Sequence, residues 1–169
     1  MRDWRAVNGL FLASTFLEGL AFGHTTAYMP LFLAELGLGP AEISAWTGML
    51  YAAMMAVAFP LAPFWGAVAE RYSRRLVIVR SQYLAALAYL LLSFAPNVWL
   101  VLIARLLLGF TFGNIAVVIA TQAAFTPKRH LGTSIATIQA AMPVAASIGP
   151  PVGAALIEII GLRGLLLVD

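Results

Sequence analysis

The chain has 169 residues, 62% of them hydrophobic and 10% charged, with no cysteine and a formal net charge of +3. Soluble domains carry about 25% charged residues, and the ten basic and seven acidic side chains here are too few to cover a soluble surface. These counts exclude a soluble globular enzyme, a disordered chain, a disulfide-stapled secreted domain and any cysteine-based metal, thiol or redox site.

The apolar residues fall in blocks of about 20 or more, the length a helix needs to cross about 30 Å of hydrocarbon. This predicts an all-α integral membrane protein forming a single transmembrane domain over 1–169. A first span is expected over 7–33, longer than the hydrocarbon is thick, with Pro30 marking its outer end and Glu18 inside it. That length and that acid argue against a signal peptide. A Gly-Leu-Gly-Pro turn at 37–40 leads to Ser44, expected near the N-cap of a second span over 44–68, whose lower half Pro60 and Pro63 should bend. A third span over 76–95 returns through a Pro96-Asn97 turn into a fourth over 98–120. The fifth is expected over 131–160, followed by a turn at 161–164 and the start of a truncated sixth from about 165. All four tryptophans, Trp4, Trp46, Trp65 and Trp99, fall within a few residues of a span end, the aromatic-belt pattern.

The basic residues cluster by loop. Arg2 and Arg5 precede the first span, Arg71, Arg74, Arg75 and Arg80 sit between the second and third, and Lys128 and Arg129 lie between the fourth and fifth, so eight of ten fall on one side. The positive-inside rule makes that side cytoplasmic, with the N-terminus on it. Topology accounts for these charges, and without interleaved aromatic residues they do not indicate nucleic-acid binding.

Ionised groups at mid-membrane cost about 2.5–3.5 kcal/mol on insertion scales, which singles out Glu18 and Arg105. Glu18 shares its helix face with Ser14 and Thr25, a polar stripe suited to carrying a proton or recognising a cation, or to a neutral carboxyl held within the bundle. Arg105 cannot shed its proton. It therefore needs a carboxylate, carbonyls or water, unless it snorkels to the nearby outer interface. Gly109 and Gly113 follow it at i+4 and i+8, leaving room for a close neighbouring helix. His24 lies on another face from Glu18 and reads as a structural hydrogen-bonder or a relay. Asn114 and Gln139 are polar at depth, either helix glue or substrate contacts, and Glu158 is expected at the outer interface near Arg163. In the fifth span Ala141, Ala145, Gly149 and Gly153 recur every four residues as a smooth stripe, interrupted by Pro150 and Pro151, which should bend the helix into a hinge or seal. No residues combine into a nucleophile–base pair, a metal triad or a phosphate loop, so neither an enzyme nor a metal site is expected.

The loop Gly66-Ala67-Val68-Ala69-Glu70-Arg71-Tyr72-Ser73-Arg74-Arg75 resembles the cytoplasmic signature of the major facilitator superfamily, with Glu70 for the commoner Asp and Ser73 for Gly. Arg105 with Gly109 resembles its fourth-helix motif, and Gly149-Pro150-Pro151-Val152-Gly153-Ala154 resembles the fifth-helix motif of its drug:proton antiporters, with Ala154 replacing the last Gly. The resemblance implies half of a two-part bundle: five complete helices and the start of a sixth. It implies proton-coupled efflux of small organic molecules across the cytoplasmic membrane, with a proton gradient and no cofactor. Glu18, Arg105, Thr25, Asn114 and Gln139 would line the pathway, Gly66, Glu70, Arg71, Arg74 and Arg75 would form a cytoplasmic gate, and Gly149, Pro150, Pro151 and Gly153 the bend. The lipid bilayer, a small organic substrate, and a second six-helix half or self-association are the implied partners. A sugar or organic-acid symporter half, a non-transporting interaction module and an inactive fragment are the alternatives.

Overall fold

The computed structural model describes residues 4–169, so Arg2 of the first basic cluster lies outside the described residues. It consists of α1 (Trp4–Glu35), α2 (Pro40–Arg71), α3 (Arg74–Ser93), α4 (Val98–Thr111), α5 (Asn114–Phe125) and α6 (Leu131–Val168), with one 3₁₀ turn at Lys128–His130. No strand occurs among the described residues. A sheet edge in hydrocarbon would strand its N–H and C=O groups, whereas helices bond them internally. Taken as one unit, Val98–Phe125 joins the other long apolar helices to give five that could cross a membrane.

Several expected boundaries move, each for a local reason. Pro30 does not end α1, which continues to Glu35. The second helix begins at Pro40 rather than near Ser44, because the Gly39 backbone N–H donates to Glu42 Oε2 at 2.9 Å and Pro40 occupies the first helical position. The helix also runs through Pro60 and Pro63 without a break. Between α2 and α3 only Tyr72 and Ser73 intervene, and the Ser73 hydroxyl accepts the Leu76 N–H at 3.4 Å as the N-cap of α3. Asn97 caps α4 in the same way, through Leu100 N–H at 3.0 Å.

The fourth span is not one helix. It stops at Thr111, turns through Phe112 and Gly113, and restarts at Asn114; Gly113 has φ of 96°, a left-handed conformation that side chains with a Cβ avoid. The fifth span stays helical through Pro143, Pro150 and Pro151, and its interruption lies at Gly161 (φ 73°, ψ 170°). There the chain reverses: Gly153 packs against His24 before the turn, and Asp169, sixteen residues later, bonds the same His24. The segment after Gly161 thus runs antiparallel to the span before it and is the start of a sixth span, as the sequence predicts.

The bundle is held by close backbone approaches. Alanine and glycine on α6 meet glycines on α1, with both helices running in the same direction. A Cβ on Gly19 would lie 2.7 Å from the Met142 carbonyl, and one on Gly23 would lie 2.8 Å from the Ala146 carbonyl. That second carbonyl is the one Pro150, lacking an N–H four residues on, leaves without its helical donor. A second seam joins α4 to α2, where a Cβ on Gly109 would come within 2.5 Å of the Met54 carbonyl. The anticipated close neighbour of Gly109 and Gly113 is therefore α2.

The indoles divide. Trp4 stacks on His130 at 5.1 Å at one end of the bundle, and Trp46 meets Trp99 edge-on at 5.3 Å at the other. Trp65 instead lies under Arg80, whose guanidinium carbon is 3.3 Å from the ring centroid, and its buried N–H finds no acceptor. Arg80 is inside α3, not in the loop before it.

Gly23→Ala and Gly109→Ala should each destabilise the protein by about 1–3 kcal/mol, because a backbone carbonyl must yield to the new methyl group. Gly9→Ala and Gly48→Ala, at open helical positions, should be neutral or stabilise by up to about 1 kcal/mol. Ser73→Ala should cost about 0.5–2 kcal/mol, and Ser73→Gly only a few tenths. Denaturant unfolding in detergent, followed by circular dichroism, measures all six.

Candidate functional site

Glu18 is presented inward from the middle of α1. Gln82 of α3 donates its amide to Glu18 Oε1, and Asn114, the first residue of α5, donates Nδ2 to the same oxygen at 3.4 Å. The break at Gly113 brings Asn114 to this position by starting a new helix beside the acid. Around these groups is a cavity of about 100 Å³, lined chiefly by Phe22, Met54, Tyr89, Leu108 and Met142 together with Glu18. On α3 the wall comes from Ser81, Ala85 and Tyr89, one helical face at i, i+4 and i+8. The result is an acid with amide partners at the edge of a predominantly apolar, thioether- and aromatic-lined space.

Arg105 does not snorkel. It is only 3% exposed, and its Nη2 donates to the Thr25 carbonyl of α1 at 2.9 Å, while Nε is buried without a partner. Thr25 is buried too, its own hydroxyl donating to the Ala21 carbonyl at 2.5 Å. Tyr89 lies near Arg105 and also lines the Glu18 cavity. Glu18 and Arg105 form no ion pair with each other.

Of the five expected pathway residues, the structure thus joins Glu18 to Asn114 and Arg105 to Thr25. Gln139 stands apart. It is exposed, because it lies two residues, about 200° of helix rotation, from Ala141, which is on the face that packs against α1. Gln82 and Tyr89 are the site residues that sequence reasoning missed. Their signal was present, since Gln82 and Tyr89 are polar or amphipathic groups in an apolar span, but neither carries a formal charge, and the cost of ionised groups in hydrocarbon singled out Glu18 and Arg105 instead.

The expected gate residues cluster at the α2–α3 junction. Gly66 lies within α2, and Glu70, Arg71 and Arg75 are exposed; Arg74 reaches across to donate to the Ala120 carbonyl of α5 at 3.0 Å. Among the described residues no ion pair engages Glu70. The expected bend residues form part of the α1–α6 seam. Gly149 and Gly153 are buried against Leu20, His24 and Tyr28, and the Tyr28 hydroxyl donates to the Pro150 carbonyl at 2.6 Å. Glu158 is exposed but does not pair with Arg163, which donates instead to the Ser93 and Ala95 carbonyls at 3.2 and 3.1 Å.

A second buried polar cluster lies near the basic end. Gln122 is fully buried and donates to Thr126 and Ser134, each at 2.9 Å, and Ser134 donates to Asn8 at 2.5 Å. It ties α1, α5 and α6 together, well away from the Glu18 cavity.

Comparison with known proteins places this arrangement. The chain is 35% identical over 152 residues to a multidrug resistance protein MdtG of Proteus mirabilis, covering 88% of this chain and 37% of the relative. It is 32% identical over 165 residues to the MdtG of Enterobacter lignolyticus, covering 95% and 39%. The chain therefore spans about two fifths of the length of these curated relatives. Its fold superimposes on the crystal structure of the human organic anion transporter MFSD10 with a TM-score of 0.82 at 21% identity, over 99% of this chain and 45% of that one. The sequence model of the Major Facilitator Superfamily matches residues 11–169, and the chain belongs to that superfamily of membrane transporters.

Proposed function

We propose that the chain is the N-terminal half of a proton-coupled efflux transporter for small amphipathic organic molecules, set in the cytoplasmic membrane with its basic end facing the cytoplasm. The observation that carries this reading is the Glu18 cavity: a carboxylate with two amide donors, bordered by Met54, Met142, Phe22 and Tyr89. Thioether and aromatic surfaces adapt to varied apolar shapes, while a single acid supplies attraction for a positive charge or a place for a proton. A site of that kind suits substrates that differ in shape and share amphipathic character. The similarity to multidrug resistance proteins supports the same conclusion, as does the clustering of basic loops at one end of the bundle.

Arg105 supplies the fixed positive charge. Its bond to the Thr25 carbonyl links α4 to α1, and Tyr89, near Arg105, also borders the cavity that holds Glu18. The cavity is walled by one bundle only, and a second six-helix half would complete it at the midplane.

In a chain that carries both halves, Arg105→Ala should reduce proton-gradient-driven movement of a fluorescent cationic dye in vesicles by at least tenfold while membrane insertion persists; unchanged transport would remove Arg105 from the mechanism. Glu18→Gln should weaken transport of cationic dyes more than that of neutral ones. Equal losses for both would assign Glu18 to proton coupling rather than substrate recognition.

A further inference from the structure

His24 and Asp169 belong to neither site described above. His24 Nδ1 and Asp169 Oδ1 are 2.6 Å apart, and the two side chains are only 4% and 5% exposed. The other polar atom of each, His24 Nε2 and Asp169 Oδ2, is buried and has no partner.

The surroundings supply no substitute. On α1, Tyr28 has its hydroxyl committed to the Pro150 carbonyl, and Glu18 lies nearly two turns below. On α3, Tyr89 borders Asp169 in a crevice that it shares with Leu87, Leu90 and Val168. On α4, Arg105 is committed to the Thr25 carbonyl. The α6 face at Gly149 and Gly153 gives His24 Nε2 no hydrogen-bond partner, and it lies so close that a Cβ on Gly153 would be 2.9 Å from the imidazole Cδ2.

With the aspartate ionised and the histidine neutral, Nδ1–H donates to Oδ1, and both remaining atoms are acceptors with nothing to accept. The pair then carries a whole negative charge on two side chains that are only 4% and 5% exposed. One added proton removes it. On Nε2 it makes an imidazolium–carboxylate pair of zero net charge; on Oδ2 it makes a neutral acid beside a neutral imidazole. The rest of the interior points the same way, since Arg105 brings one permanent positive charge against two buried carboxylates, Glu18 and Asp169.

We propose that His24 and Asp169 form a proton-binding site, separate from Glu18, which holds one proton between α1 and the segment that returns after Gly161. This does not depend on the transport reading. It ties a proton to the docking of Leu162, Leu165 and Leu166, all buried, because the partner of His24 is delivered by that segment.

The test uses the whole protein in lipid nanodiscs at neutral pH, with nitrogen-15 NMR of the histidine rings and infrared spectroscopy of the carboxyl region. His130, the second histidine in the chain, is assigned by His130→Gln. The expected result is one of two signatures: two protonated ring nitrogens on His24, or a protonated-carboxyl stretch that disappears in Asp169→Asn. Whichever is present should persist in Glu18→Gln. A neutral His24 ring together with no Asp169-dependent carboxyl band would overturn the proposal, as would a signature lost in Glu18→Gln or one unaltered in Asp169→Asn. If Asp169→Asn does not fold, the ring spectrum of the wild-type protein and the carboxyl band of Glu18→Gln decide: either signature supports the site, and the absence of both overturns it.

Discussion

Two apolar helices in hydrocarbon gain nothing by hiding from the solvent, because lipid tails are as apolar as leucine, so they associate only where their atoms touch at short range. The seam between α1 and α6 meets that constraint through missing side chains. Gly19 and Gly23 on one helix, and Ala141, Ala145, Gly149 and Gly153 on the other, bring backbone to within contact of backbone. Once this seam is set, the rest of the bundle acquires a register. The inward face of α1 then presents Glu18 and Thr25 to the helices on its other side, and His24 stands where the chain comes back after Gly161.

The polar groups follow a related rule. Without water each buried donor needs an acceptor, and a helix backbone has few to spare. Arg105 takes one of them, the Thr25 carbonyl; Arg163 takes two at the loop between α3 and α4; Gln122 finds hydroxyls. Some groups keep unfilled valences: His24 Nε2, Asp169 Oδ2 and Asn114 Oδ1 lie around Glu18 and His24, whereas Trp65 Nε1, two nitrogens of Arg80 and Gln122 Oε1 lie elsewhere in the bundle.

Much of this was legible in the residues. Arg105 and Glu18 announce themselves by what they cost in a bilayer, the four-residue spacing of Ala141 to Gly153 marks a packing face, and the three motifs identify the superfamily. What was hidden depended on tertiary context. Gly113 sits in a run of apolar residues and looks like one more small residue until its positive φ ends α4 and starts α5. Gly19 and Gly23 gain meaning only from the helix opposite. Pro30 and Ser44 mislead because a long helix tolerates a proline near its end, and because Gly39 with Glu42 caps α2 earlier than a serine could. Gln139 looks like Asn114 in sequence and differs only in facing outward. The His24–Asp169 pair joins residues 145 apart and becomes visible only when the chain is seen to reverse.

The interruption at Gly113 also has an electrostatic side. A helix carries about half a positive charge at its start and half a negative charge at its finish, and a span that crosses in one piece exposes both to water. By stopping at Thr111 and restarting at Asn114, the fourth span places one end of each sign inside the bundle. The positive start of α5 lies at Glu18, where Asn114 already donates. The negative finish of α4 meets Arg80, whose Nη2 lies 3.4 Å from the Phe110 carbonyl. A continuous helix over the same residues would carry the same side chains past the same cavity, but its backbone would lend no charge to either.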